Sequence, residues 1–450
     1  MKLIKNAMIL DEKTLETSLK NIYFNQKITG ISSLFNPGKF DEIIDLEGKL
    51  LIPGCIDPHV HFNDPGFTHH ENFFTGTAAA AAGGVTTVID MPCTSIPAVT
   101  NKKNLHEKLA VINSKALIDF ALWGGIRKED YPYENNQIIE LWNEGVVGFK
   151  IYTISGMKDF QALTYEEIEY VFYKFPDLLF AFHAEDKNTI EENLNSLKEE
   201  DLKTWHKFPE IRSISAEFTA VKKIIDLLKN NKVHFVHISS KKAAETIIAA
   251  KKQYYNLSLE TCPHYLHFTC KDFTRLQGKL KTTPPVKYEQ DKEFLINSLI
   301  NGDLDFIATD HAGCDYQTEK QLSDFSKIYS GIPGIQLSIP YLFSEFYLKE
   351  KISLPRMIQI TSENQAKRYG LYPRKGSLQI GSDADFTVID LNKKFKVDEK
   401  KLLSIGKYSP FHNEIFNCSV AYTIVRGRII YNSEQGIVSA KGYGKWIRRK

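Results

Sequence analysis

Ile52-Pro53-Gly54-Cys55-Ile56-Asp57-Pro58-His59-Val60-His61-Phe62-Asn63-Asp64-Pro65-Gly66 is an apolar run bounded by turn residues on both sides. Those turns confine it to the length of a strand. Residues two apart on a strand point to one face, so a strand ending here aims the imidazoles of His59 and His61 at one spot. Two neutral imidazoles on one face can share a divalent metal. An isolated His-x-His is more often a pair of ordinary loop histidines, and the decision between these accounts comes from the remainder of the chain.

Downstream, strand-like runs at 55–62, 85–90, 117–123, 146–152, 178–183, 233–238, 257–262 and 305–310 alternate with segments of helical period. The helical segments include 71–82, 102–114, 165–174, 216–230, 242–252 and 290–300. This alternation predicts an α/β fold, a (β/α)8 TIM barrel over 55–374. A doubly wound open sheet is the alternative, but no Gly-x-Gly-x-x-Gly follows an early strand. Ala79-Ala80-Ala81-Ala82-Gly83-Gly84 reads as a helix end with its glycine cap. The two chain ends have another texture. Short strand-like pieces at 2–10, 21–31 and 42–51, with turns at Gly30, Asn36-Pro37-Gly38 and Gly48, are matched by 377–391 and 419–431. Residues 1–54 and 375–450 are therefore expected to pair into a small β-sandwich domain.

At 450 residues there is room for one large domain and a smaller one. Charged residues at 25% and hydrophobic ones at 42% describe an ordinary soluble globular protein. A net charge of +2, with no basic stripe interleaved with aromatics, gives no case for nucleic acid as a partner. No apolar run approaches the about 18 residues of a membrane span, and Met1-Lys2-Leu3-Ile4-Lys5 leads into a strand rather than a signal peptide, so a cytoplasmic location is expected. The six cysteines are scattered without a Cys-x-x-Cys pair, which predicts reduced thiols, not a zinc knuckle or disulfide framework.

In such a barrel functional groups sit at the C-terminal ends of the strands. There the sequence places His59 and His61 on the first strand, Lys150 on the fourth, His183 on the fifth, His237 on the sixth and Asp310 on the eighth. Any one of them alone is most simply a satisfied polar residue at a strand end; all six together require repeated coincidence. Lys150 is the unusual member, because an ammonium has no lone pair for a metal. Burial near positive charge lowers the pKa of a lysine and frees a neutral amine. Such an amine can take up carbon dioxide as a carbamate, a two-oxygen anion able to bridge two cations. The expected site holds two divalent ions, one on His59, His61 and Asp310 and the other on His183 and His237, with carbamylated Lys150 and a hydroxide shared. Zinc suits these donors best, with cobalt, manganese or iron as alternatives. A role for Lys150 as a phosphate or carboxylate clamp is disfavoured by its apolar setting, Val-Gly-Phe-Lys-Ile-Tyr.

The motifs D-P-H-V-H-F-N-D-P-G, G-F-K, F-H-A-E, V-H-I-S-S, E-T-C-P-H-Y-L and A-T-D-H together resemble the cyclic amidohydrolases. That family joins allantoinases, hydantoinases (dihydropyrimidinases) and dihydroorotases. The likeness covers nearly the whole chain and implies a barrel with a binuclear metal centre that opens a cyclic amide. It gives the ligand roles to His59, His61, Lys150, His183, His237 and Asp310, and to Asp310 also the acid/base role. Dihydroorotases typically carry H-x-H-x-R and M-x-N-T; here the arginine position is Asn63, and the second segment is Met91-Pro92-Cys93-Thr94. Loss of a guanidinium grip on a carboxylate removes about 1.5–3 kcal/mol. Hydantoinases usually have a tyrosine five residues beyond the lysine, where this chain has Ser155.

The motifs are most similar to those of allantoinases: His61-Phe62-Asn63-Asp64-Pro65-Gly66, Trp123-Gly124-Gly125 and Cys262-Pro263-His264-Tyr265. Two segments depart from them, Asp310-His311-Ala312-Gly313 and Lys281-Thr282-Thr283-Pro284-Pro285. The resemblance thus implies hydrolysis of allantoin to allantoate, with Asn63, Thr94, Ser155, Thr283 and Ala312 as substrate contacts. Dihydroorotase and hydantoinase activities are the alternatives; for dihydroorotate, Lys281 or Lys287 would have to grip the carboxylate. The partner implied is a small cyclic amide or ureide, and a homo-oligomer, dimer or tetramer, is expected. A non-catalytic homologue serving as an assembly partner would show an eroded ligand set.

Overall fold

Cys55–His61 forms a strand buried along its whole length, and it opens a closed barrel. Parallel pairing joins it to Val85–Asp90 and then to Asp119–Leu122. After a break at Trp123 the third strand resumes at Gly124–Gly125, which pairs with Phe149–Tyr152. Leu179–His183, Lys232–Phe235, Leu257–Thr261 and Phe306–Ile307 follow in order. His311–Ala312 then returns to the first strand and completes the circle. Strands enclosed by helices outside and by packed side chains within must be apolar on both faces, which is why they read as continuous runs in the sequence. The computed structural model describes residues 1–11, 14–35, 38–133, 136–254 and 256–450. The turn expected at Asn36-Pro37 lies outside the described residues.

The connecting helices begin where short polar side chains can accept from free backbone N–H groups. Asn72 caps Phe73–Ala82, Thr164 forms a capping box with Glu167 before Tyr165–Lys174, and Ser213 and Ser240 cap Ile214–Asp226 and Lys241–Lys251. The alanine-rich helix ends at Gly83, where an added Cβ would lie 2.5 Å from the carbonyl oxygen of Ile335. Gly84 follows in the left-handed region at φ +88°, the conformation glycine supplies at low cost.

Two expected strands end three residues before their apolar runs do. The run at 233–238 leaves the ladder after Phe235, and that at 305–310 after Ile307. In both cases the chain turns into a left-handed backbone, at His237 (φ 40°) and at Asp310 (φ 50°). The ladder is given up at the residues that face the barrel mouth.

The chain ends share one nine-stranded sheet in the order Gly436–Ile437, Arg428–Asn432, Ser419–Val425, Phe386–Asp390, Leu50–Pro53, Lys2–Leu10, Thr17–Phe24, Ile28–Ser32, with Glu42–Asp45 also paired to Lys2–Leu10. The sheet curls over a core of its own. Ile22, Phe24 and Ile28 from one half pack with Phe386, Val388 and Ile424 from the other, and the rings of Phe24 and Phe386 meet edge-to-face at 5.5 Å. Residues 444–450 leave this sheet and run along the barrel. Gly444 N–H donates to Ala116, Phe120 N–H to Lys445, Ile447 N–H back to Phe120 and Lys450 N–H to Gly370.

Barrel and end sheet are joined by a buried charge cluster. Lys375 Nζ lies 2.5 Å from Asp119 at the start of the third barrel strand, 2.6 Å from Asp385 and 3.1 Å from Asp383. Arg426 Nε adds a contact to Asp119 at 3.0 Å. Removing one member of a buried ion network strands the others without compensation, at about 3–5 kcal/mol. Lys375→Met is therefore expected to lower the thermal midpoint by several degrees, read by circular dichroism at fixed protein concentration. A midpoint within a degree of the parent would contradict this account of the junction.

Candidate active site

Four imidazoles gather at the C-terminal mouth of the barrel. The ring centroids of His59 and His61 are 5.3 Å apart, those of His59 and His237 5.3 Å, and those of His183 and His237 4.8 Å. Within this nest the nitrogens and one carboxylate fall into two groups. Asp310 Oδ1 lies 3.2 Å from Nε2 of both His59 and His61, and His183 Nδ1 lies 3.1 Å from His237 Nε2. Ligands about 2.0–2.1 Å from a tetrahedral ion are spaced about 3.3 Å from each other, so both groups have the separation a shared cation requires. His59, His61 and Asp310 form a set of three donors able to hold a metal ion. Among the described residues the other pair has no third protein donor of ordinary type grouped with it.

Lys150, on the strand paired with that of His183, is the remaining ligand-type residue expected here. Its Nζ is buried and has no hydrogen-bond partner, an arrangement that costs free energy for an ammonium. Its charge acts on His59, His183 and His237 alike, which places it near both groups. Burial pulls its pKa down to about 8, so the neutral amine is accessible near physiological pH. The buried Nε2 of His59 is likewise without a hydrogen-bond partner. Orphaned donors of these types, in these places, fit a binuclear metal centre.

The protonation states agree with this reading. Burial holds His59, His183 and His237 below the ordinary imidazole value, which favours the neutral form that binds metal. His61 behaves differently: burial works against its charge, but the hydrogen bond to Asp310 prevails and pushes it up to about 10. A divalent ion at that point would displace the shared proton.

Carboxylates behind the nest fix which ring nitrogen faces forward. His59 Nδ1 donates to Glu260 Oε1 at 2.7 Å, and His234 Nε2 to the other oxygen of Glu260 at 3.0 Å. Nε2 of His59 is thereby left with its lone pair toward the mouth. His183 Nε2 donates to Glu185 at 3.0 Å, leaving Nδ1 toward His237. Glu185 is in turn paired with Arg212. Neither glutamate was singled out from the sequence, although both lie inside quoted motifs, E-T-C-P-H-Y-L and F-H-A-E.

The mouth opens into a cleft of about 560 Å³. His61, His183, His237 and Asp310 line it, as do all five residues expected to touch substrate: Asn63, Thr94, Ser155, Thr283 and Ala312. His59 and Lys150 lie behind this wall. Asn63 is held at φ 56°, and its Nδ2 is buried without a partner, a donor turned to no protein acceptor. Lys281 and Lys287, the cations considered for a substrate carboxylate, are committed elsewhere. Lys281 Nζ donates to the carbonyls of Phe325 at 2.7 Å and Ile328 at 2.6 Å, and Lys287 Nζ donates to that of Arg212. The guanidinium on the cleft wall is Arg212 instead, on a stretch without a recognisable motif.

A nest of imidazoles and a carboxylate at the C-terminal mouth of a closed parallel barrel is the setting of an enzyme active site. The chain belongs to the amidohydrolase family, whose model matches residues 50–430. It is a hydrolase similar to allantoinases and dihydroorotases. The "Probable allantoinase 2" of Dictyostelium discoideum is 34% identical, over 90% of this chain and 85% of that protein. A dihydroorotase of Methanosphaera stadtmanae is 32% identical, over 95% and 96%. Among solved structures, the L-hydantoinase (dihydropyrimidinase) of Arthrobacter aurescens superposes with a TM-score of 0.93 at 28% identity, over 100% of this chain and 99% of that one. The six ligand-type residues are all present in this chain, against the eroded set expected of a non-catalytic homologue. No helix of the described residues is long and apolar enough to cross a membrane.

Proposed function

We propose that the enzyme hydrolyses a ring amide of a small cyclic ureide, with allantoin as substrate and allantoate as product. His59, His61 and Asp310 would hold one divalent ion, His183 and His237 a second, and Lys150, as a carbamate, both. When bound, the two ions, zinc or else cobalt, manganese or iron, supply a water acidified from about 15.7 toward about 7 and polarise the amide carbonyl. Asp310 takes the proton of the attacking water and passes it to the ring nitrogen as the C–N bond breaks. The left-handed backbone at Asp310 keeps its Oδ1 beside both imidazoles of the first strand. Glu260 and Glu185 hold His59 and His183 in the required tautomers.

The observation that carries the substrate reading is the character of the cleft wall. Asn63, Thr94, Ser155 and Thr283 are neutral, Arg212 is paired with buried Glu185, and Lys158 is exposed beside Asp159. A ring carboxylate therefore finds no unengaged buried cation among the described lining residues, whereas a neutral ureido arm finds the free Asn63 donor. The allantoinase names among the relatives support the same choice. The six unpaired cysteines, five of them buried, support the cytoplasmic expectation, and the homo-oligomer remains part of the proposal.

The test is kcat/KM for allantoin, hydantoin, 5,6-dihydrouracil and dihydroorotate on one metal-loaded preparation. Allantoin is expected to exceed dihydroorotate by at least about tenfold, or ~1.4 kcal/mol of transition-state preference. The reverse order by the same margin would sink the reading and shift it to dihydroorotase.

A further inference from the structure

Outside the nest, a second set of metal-binding side chains meets at the rim of the cleft. His69 and His70 lie on the loop after the first barrel strand, and Glu319 lies on the turn Tyr316–Lys320 opposite. One ligand atom of each lies within 4.8 Å of the others. The rings of His69 and His70 are 4.1 Å apart, and His70 Nε2 is 2.6 Å from Glu319 Oε1. Glu319 Oε2 accepts from the backbone N–H of Asp315 at 2.8 Å, which anchors the carboxylate with Oε1 toward the histidines. Two imidazoles and a carboxylate make a common three-ligand set for zinc.

We propose that His69, His70 and Glu319 form a further divalent-cation site of the zinc type, distinct from the binuclear nest, and that its occupancy restrains traffic through the cleft. The connection to the cleft is steric. His70 stacks on Phe67 with ring centroids 6.0 Å apart and contacts the ring of Tyr329 at 4.8 Å, and all three line the cleft. An ion held here ties the loop of the first strand to the segment that carries Tyr329. Substrate and product pass between these two walls, so a tied rim slows exchange. His69 is exposed and His70 and Glu319 are half-buried, so the ion is bound more weakly than in the nest and responds to free metal concentration. The competing account is a simple His70–Glu319 hydrogen bond with His69 idle.

The two accounts separate on titration of zinc into the holoenzyme. The wild type is expected to take up one equivalent beyond its tight complement, counted by equilibrium dialysis and plasma mass spectrometry, while turnover falls at least about threefold over the same range. Glu319→Gln and His69→Gln should each lose that equivalent and shift the inhibition at least about tenfold to higher zinc. Lys150→Ala, which removes a nest residue, should keep it, so that this site and the nest fail or stand separately. Cobalt uptake followed by visible absorption gives the same count without reliance on activity, and thermal midpoints report whether the variants are folded. An unchanged count and unchanged inhibition in a folded Glu319→Gln enzyme would overturn the proposal.

Discussion

Asp310→Asn is expected to lower kcat by about 10²–10⁴ while KM for the preferred substrate stays within about threefold. The asparagine keeps an oxygen for the group formed with His59 and His61, each 3.2 Å from Oδ1 in the parent, but it cannot accept and return a proton. Loss of an interaction made only in the transition state appears in kcat and not in KM. The comparison calls for metal content measured on the same samples, since a drop in bound metal would produce the same loss by another route. Parent-like kcat at full metal occupancy would exclude Asp310 as the acid/base.

Lys150→Ala is expected to be at least as damaging. Alanine cannot carry a carbamate, so both donor groups would lose the common oxygen ligand proposed for them; kcat/KM should fall by more than about 10³, or ~4 kcal/mol, and bound metal should fall with it. A short carboxylate such as acetate is small enough to occupy the space vacated by the side chain and to supply two oxygens. Partial recovery of metal and turnover with added acetate is the expected signature. Full activity of Lys150→Ala without bicarbonate would remove the carbamate from the mechanism.

Much of the fold was legible because buried strands of a parallel barrel leave apolar runs that no amphipathic helix imitates. That His59 and His61 share one face was legible from their spacing of two, but the weight given to the pair came from the ionisable residues at the other strand ends. Other features depend on chain that is distant or locally featureless. Glu260 acts on His59 from 201 positions away, so its partner could not be named from adjacency. Glu185 sits two residues from His183, yet its pairing with Arg212 depends on a loop that carries no motif. The left-handed backbones of Asn63, His237 and Asp310 follow from how strand ends meet the mouth, and none of these residue types demands that conformation. The commitment of Lys281 to backbone carbonyls was equally hidden, because a lysine beside Thr-Pro-Pro looks the same whether it faces a ligand or the chain.

The crossing of residues 444–450 onto the barrel sets an order of events during synthesis. Phe120 in the third barrel strand exchanges backbone hydrogen bonds with Lys445 and Ile447, and Asp119 beside it waits for Lys375 and Arg426. While a ribosome is still translating the second half of the message, that strand has its neighbours in the barrel but not its outer partners. The nascent chain therefore carries an unfinished flank until residues 444–450 have been made, and such flanks are where non-native association begins. A chaperone that holds growing chains has a defined place to act on this protein, the edge of the third strand at Phe120, and a chain truncated before Lys445 would leave that edge unpaired for the life of the molecule.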